Sequence, residues 1–252
     1  MNHTVSEFGG FPVCLIGDNK MKPEGVLWGD SYAASALFGI DKELKKRRKS
    51  FYAVLSDGCV PVSGMERKNR AFHCTDFKHE QFIEKLLKNK KLRNLIWIGR
   101  FETVLSPSLY NEYLIDAKKV SAKDVKLRIL DMARQLSKSE KNVVFVGDTP
   151  RYEVAVAKYI SKLFMLELEI DPKKLKAIKR DLRKNFGLDK KFLKQLKTYI
   201  KVIDGLELFC KQQMCSALDQ NGNPLVVDTG HISHQASLIL AKAIFSELYE
   251  KE

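Results

Sequence analysis

Short apolar runs alternate along this chain with longer stretches whose apolar residues recur at helical spacing. That pattern yields a parallel sheet covered by helices. Val26-Leu27-Trp28, following Pro23-Glu24-Gly25, reads as a short buried strand, and the small-residue segment from Tyr32 to Phe38 as the helix behind it. Phe51 to Leu55, Asn94 to Ile98 and Asn142 to Val146 read as further strands, the last wholly buried, and Lys201 to Ile203 as a candidate fifth. Asp76 to Lys88 carries Phe77, Phe82, Ile83, Leu86 and Leu87 near helical spacing; Ser121 to Leu136 does the same with Val125, Ile129, Met132 and Leu136. The last element, Ser233 to Glu250, puts Ala236, Leu240, Ile244 and Leu248 on one face, with Ser233 as its natural N-cap.

Between the fourth and fifth strands lies a basic insertion at about 171–199. It reads as two helices broken at Gly187, with one apolar stripe of Leu175, Ile178, Leu182 and Phe186 and another of Phe192, Leu193 and Leu196. Its predicted place is over the sheet edge or the site. No internal repeat, linker or compositional break divides the chain, so residues 1–252 are expected to form a single domain carrying this insertion.

A chain of 252 residues with a 44% hydrophobic fraction has enough apolar material for one sizeable core. No apolar run is long enough to span a bilayer. Met1 to Pro12 has no basic start followed by an apolar stretch, so no signal peptide is expected. The choice is then between a cytosolic protein and a piece of something larger. Forty-four basic against 31 acidic residues give a net charge of +13. The excess gathers in Lys45-Lys46-Arg47-Arg48-Lys49 and in the stretch from Lys173 to Lys201. A solvated lysine surface accounts for it; the alternative is an anionic partner such as an acidic glycan, a lipid surface or nucleic acid. Neither an RNA-binding signature nor zinc-finger spacing accompanies the charge, and no nucleic-acid partner is expected.

Cys59 and Cys74 flank a loop rich in Pro, Gly and charge, and Cys210 and Cys215 sit close together in another irregular stretch. Without CxxC spacing or a histidine cluster, a zinc site is disfavoured. Two loop-stapling disulfides fit and would place the protein in an oxidising compartment; reduced thiols in a cytosolic protein are the alternative. Cys14 is left over, with any partner upstream of this chain.

Parallel sheets collect their functional groups in the loops at the carboxyl ends of the strands. The first such loop is Gly29-Asp30-Ser31, where a serine at a helix start lies in the positive end of the dipole and its N–H can face a developing oxyanion. A serine nucleophile needs a base, and the base an orienting carboxylate. Of the five histidines, His3 belongs to the terminus, and His73 and His79 to the cysteine loop and the helix after it. That leaves His231 and His234. His231 lies in Asp228-Thr229-Gly230-His231, where a carboxylate three residues earlier can reach ring Nδ1 while Nε2 points at a serine. Ser31, His231 and Asp228 are therefore the candidate nucleophile, base and orienting acid, with Asp148 a rival for the last role.

Leu27-Trp28-Gly29-Asp30-Ser31-Tyr32-Ala33 resembles the first block of SGNH hydrolases, in the version found in soluble domains fused to bacterial membrane acyltransferases of acyltransferase family 3. Asp228-Thr229-Gly230-His231-Ile232-Ser233 resembles the last block. Cys14-Leu15-Ile16-Gly17, the stretch around Cys59-Val60-Pro61 and that from Cys210 to Cys215 are also similar to that subfamily. The resemblance runs from about Cys14 to Phe245. Tyr32 stands where that subfamily usually has histidine, and the basic insertion has no counterpart in it. The resemblance implies a three-layer αβα fold with a flavodoxin-like parallel sheet of about five strands. It also implies oxyanion donors beside the Ser31 N–H: a glycine, either Gly58 or Gly64, and an asparagine that is missing after Ile98. Arg100 is the candidate replacement, either as donor or as binder of the acyl donor or glycan, with a plain salt-bridged arginine as the alternative. Gly147-Asp148-Thr149-Pro150 is expected to shape the pocket.

The implied activity is acyl transfer, acetyl above all, through an acyl-serine to a hydroxyl of a bacterial envelope polysaccharide. A membrane acyltransferase domain upstream in the same polypeptide would supply the acyl group and place the chain in the periplasm. No metal and no cofactor is called for. A free-standing carbohydrate or lipid esterase using water, and an inactive basic glycan- or nucleic-acid-binding module, are the rival readings.

Overall fold

The computed structural model describes residues 3–4, 12–67, 79–105, 113–115, 118–119, 121–169, 176–178, 188–211 and 214–249. Its framework consists of β1 (Pro12–Gly17), β2 (Pro23–Gly29), α1 (Ser31–Lys46), β3 (Ser50–Leu55), α2 (His79–Lys88), β4 (Asn94–Ile98), α3 (Glu102–Leu105), α4 (Ala122–Lys138), β5 (Asn142–Val146), α5 (Val156–Met165), α6 (Lys190–Leu196), β6 (Lys201–Ile203), α7 (Gly205–Phe209) and α8 (His234–Tyr249). The sheet order is β1-β3-β2-β4-β5-β6, with the two-residue strand His3–Thr4 added outside β1. Strands β3, β2, β4, β5 and β6 run parallel; β1 is antiparallel to β3. This is the α/β architecture expected, extended by an antiparallel edge that the sequence pattern does not announce. β1 escapes notice because its burial has no period of two: Val13 and Ile16 enter the core on opposite faces of the sheet while Leu15 is exposed.

The central strands are buried on both faces, and successive side chains alternate between two separate clusters. Trp28, Trp97 and Phe145 face one side, where α2, α4 and α6 cover them; Leu27, Ile96 and Val144 face the other, under α1 and α8. Trp28 and Trp97 stack at 5.5 Å between ring centroids, and Trp97 Nε1 donates to the buried carbonyl of Pro61 at 2.8 Å. α1 and α8 come together closely at Gly39, where an added Cβ would lie 2.1 Å from the Ser237 carbonyl oxygen. Backbone cannot yield there as a flexible side chain would. Gly39→Ala is therefore expected to cost about 3 kcal/mol, at the upper end of overpacking penalties, measured as a lowered urea midpoint with unchanged slope.

The insertion departs from expectation in its first half. Lys176–Ile178 is a strand, not a helix, paired antiparallel with Met214–Ser216. The partner is the second strand of a small hairpin, central in the resulting three-stranded sheet, in which Cys210 and Cys215 sit opposite each other and are joined by a disulfide. A fixed, open edge captures extended backbone and overrides the helical spacing. Leu175, Leu182, Phe186 and Gly187 lie outside the described residues. The second half is helical as expected: Asp189 caps α6 by accepting from the Phe192 N–H at 2.8 Å, and Phe192, Leu193 and Leu196 enter the core. Cys59 is disulfide-bonded, Cys74 lies outside the described residues, and Cys14 keeps its thiol, half-buried on β1. Among the described residues no helix is long and apolar enough to cross a membrane.

Candidate active site

Strand β2 is followed in sequence by β3 on one side and then by β4 on the other, so the connections diverge at the carboxyl ends of β2 and β4. Doubly wound sheets open their ligand crevice at such a point. Gly29 ends β2 there. A Cβ on it would lie 2.0 Å from the Ile98 carbonyl oxygen and 2.4 Å from Ala33 Cβ, so the close approach of β4 and α1 demands glycine. Asp30 then caps α1: its Oδ1 accepts from the Tyr32 N–H and its Oδ2 from the Arg100 N–H, both at 2.8 Å. Burial pushes the Asp30 carboxyl up to about 6, against the pull of those two N–H groups. Ser31 is the first helical residue, and its N–H has no acceptor within the helix.

His231 comes from the other end of the chain. Asp228 folds its turn back on itself: Oδ1 accepts from the Gly230 and His231 N–H groups, each at 2.8 Å, and Oδ2 lies 2.6 Å from His231 Nδ1. His231 Nε2 lies 2.8 Å from Ser31 Oγ. Partial burial acts to raise the Asp228 carboxyl, but the Gly230 N–H, the imidazole and the His231 N–H outweigh it and hold Asp228 below the usual carboxylate range. An ionised Asp228 fixes the proton on Nδ1 and leaves Nε2 as acceptor for the serine hydroxyl. Ser233, just beyond, caps α8 by accepting from the Ala236 N–H at 3.2 Å. The turn is tied to the segment after β5 as well: the Tyr152 and Val156 N–H groups donate to the Thr229 and Asp228 carbonyls.

Asp148 does not orient the histidine. Its Oδ1 accepts from the Glu102 N–H at 3.2 Å, and burial, with the Glu102 charge beside it, pushes its carboxyl well above the ordinary range. Gly58 and Gly64 both adopt the left-handed conformation, at φ +69 and +71. The loop carrying Gly58 is held at the site by the Ser56 N–H, which donates to the Gly29 carbonyl at 2.9 Å, and this favours Gly58 of the two. Arg100 is ion-paired, with Nε 3.0 Å from Glu102 Oε1, and lies over the Tyr32 ring at 5.7 Å.

Four contributors escape a reading of motifs. Asp30 joins the start of α1 to the loop after β4 by accepting from the Tyr32 and Arg100 N–H groups. Tyr32 packs its ring 4.7 Å from that of His231, and a Cβ on Gly230 would meet its hydroxyl at 2.3 Å. A tyrosine after the nucleophile thus goes with a glycine before the base. Glu102 and Arg151 form an ion pair at 3.0 Å. Both follow the carboxyl ends of strands, the one signal that could have singled them out. Among the described residues no group of three or more His, Cys, Asp or Glu is placed to share a metal ion. A groove of about 530 Å³ lies against α1 one turn beyond Ser31, bordered by Ser35, Phe38, Val227, Ile232 and His234.

The family described as SGNH domain (fused to AT3 domains) matches this chain over residues 2–245. The chain belongs to this family. No curated protein matches the domain by sequence. Among solved structures the SGNH domain is similar to the periplasmic domain of a lipopolysaccharide acetyltransferase from Salmonella ser. Paratyphi A. The identity is 14% and the TM-score 0.60, over 90% of this chain and 84% of that one. At that identity the likeness speaks for the fold. Membership places the SGNH domain among domains of acyltransferase and esterase type.

Proposed function

We propose that this domain transfers an acyl group, acetyl in the first instance, to a hydroxyl of a cell-surface polysaccharide through an acyl-Ser31 intermediate. The observation that carries the reading is the unbroken relay from Ser31 Oγ to His231 Nε2 and from Nδ1 to Asp228 Oδ2. His231 takes the Ser31 proton as Oγ bonds to the acyl carbonyl carbon. The tetrahedral oxyanion is received by the Ser31 N–H with Gly58, and Arg100 is the candidate for the remaining donor. Collapse breaks the bond to the leaving oxygen, which takes the proton from His231. An acceptor hydroxyl then gives its proton to His231, attacks acyl-Ser31 and leaves as the ester, restoring the serine.

No cofactor enters this cycle. The family's fusion to AT3 domains, and the likeness to a periplasmic acetyltransferase domain, support a membrane partner domain as acyl source and a periplasmic setting. Mixing the protein with a chromogenic acetyl ester should release a burst of chromophore and leave an acetyl adduct on the Ser31 peptide in the mass spectrum. Added oligosaccharide should then draw acetyl away from water. Turnover with neither burst nor adduct under rapid quench would refute the intermediate, and transfer to water alone would leave an esterase.

A further inference from the structure

Two arginines lie against Tyr32 and Gly230, the chain neighbours of Ser31 and His231, and one carboxylate holds both. Glu102 Oε1 lies 3.0 Å from Arg100 Nε and 3.0 Å from Arg151 Nη1. Glu102 is buried, whereas the two arginine side chains keep 29% and 36% of their surface exposed. Each arginine is also pinned to the catalytic residues. The Arg100 N–H is bonded to Asp30, and its guanidinium lies over Tyr32, whose ring packs on that of His231. Arg151 packs against Gly230, one residue before the base: a Cβ there would meet Arg151 Cγ at 3.4 Å.

The remaining hydrogen-bonding capacity is lopsided. Asp30 accepts from two N–H groups, Asp228 accepts from two N–H groups and meets the imidazole, and Glu102 meets both arginines through the single oxygen Oε1. Asp148 accepts from the Glu102 N–H through Oδ1, its buried Oδ2 has no hydrogen-bond partner among the described residues, and burial, with the Glu102 charge beside it, pushes its carboxyl well above the ordinary range. On the arginines, Nη1 and Nη2 of Arg100 and Nη2 of Arg151 have no partner among the described residues, and the buried Nε of Arg151 has none either. A guanidinium offers its donors as a planar fork matched to carboxylate or phosphate oxygens. One buried glutamate fixes two such forks while neutralising only one charge.

We propose that Arg100 and Arg151 form an anion-recognition subsite beside Ser31, so that the preferred acceptor is an acidic glycan bearing a carboxylate or phosphate near the acylated hydroxyl. The subsite rests on the acyl-transfer reading above and gives the substrate its chemical class.

The test measures binding, so that it stands apart from turnover. Ser31→Ala protein is titrated by calorimetry with a short oligouronide, with the same oligouronide as its methyl ester, and with a neutral oligosaccharide carrying one phosphate. The acid is expected to bind at least about tenfold tighter than its methyl ester, the equivalent of ~1.4 kcal/mol. That ratio should fall to near one in Arg151→Gln and recover in part in Arg151→Lys, with thermal melts reporting that each variant is folded. Tighter binding of the phosphorylated oligosaccharide would assign the subsite to phosphate. Equal affinity for acid and ester, no binding of any probe, or a preference that survives Arg151→Gln in a folded protein each overturns the proposal. A faulty acyl-serine reading would appear instead as turnover without a Ser31 adduct.

Discussion

Ser31→Ala is expected to lower kcat for an acetyl ester by on the order of 10⁴ to 10⁶, with the protein still folded. The serine hydroxyl is the only atom the relay offers as nucleophile, and its removal leaves oxyanion donors and substrate binding to supply the residual rate. Because Oγ, Nε2 and Oδ2 form one chain at 2.8 and 2.6 Å, the three residues should act as a unit. His231→Ala is expected to cost as much as Ser31→Ala, and the double variant no more than either. Asp228→Asn should cost less than removing the serine or the base, about 10⁴ at most, because it disturbs only the tautomer and orientation of the imidazole. Steady-state hydrolysis by the four variants beside wild type checks this. A double variant far slower than Ser31→Ala would mean that the residues act independently, and an active Ser31→Ala would remove the nucleophile assignment altogether.

Acid should destabilise the domain steeply, and His79 should be the main histidine responsible. Its ring is 3% exposed at the start of α2, packed 5.5 Å from that of Trp28, and burial lowers its pKa to about 3. In the unfolded chain the same group titrates near the ordinary 6.5. Between these values the unfolded state holds a proton that the folded state lacks, so stability rises with pH and is lost as pH falls. From pH 6.5 down to 4 the loss is about 3 kcal/mol, at ~1.4 kcal/mol per unit. Asp30 works in the opposite sense: its raised pKa adds stability below about 4 that disappears as pH rises toward 6. Comparing wild type with His79→Phe by urea unfolding across this range cancels the Asp30 contribution. The difference in stability should change by about 3 kcal/mol with pH, and a constant difference would show that His79 titrates normally.

Much of the frame is legible because burial writes it into the sequence locally. Asn94–Ile98 and Asn142–Val146 lie wholly or nearly so in the core, and their apolar runs begin and end with the strands. Asp228 and His231 are legible for a different reason: three residues on one turn make their own hydrogen bonds, without help from the rest of the fold. What the sequence conceals depends on distant partners. Lys176–Ile178 has helical spacing but becomes a strand because an edge pinned by Cys210–Cys215 lies within reach. Glu102 and Arg151 carry no motif and meet only because β4 and β5 are neighbours in the sheet. Tyr32 reads as a departure from a family pattern until Gly230 is seen beside its hydroxyl.

The 200 residues that separate Ser31 from His231 impose an order of events on the ribosome. The nucleophile is made before its base, which follows 200 positions later. Only the docking of α8 on α1, a contact between remote parts of the chain and therefore slow to form, brings the imidazole to the hydroxyl. Until then Ser31 is an ordinary alcohol. On the proposed mechanism, a chain in which α8 has not yet docked on α1 is expected to turn over no ester.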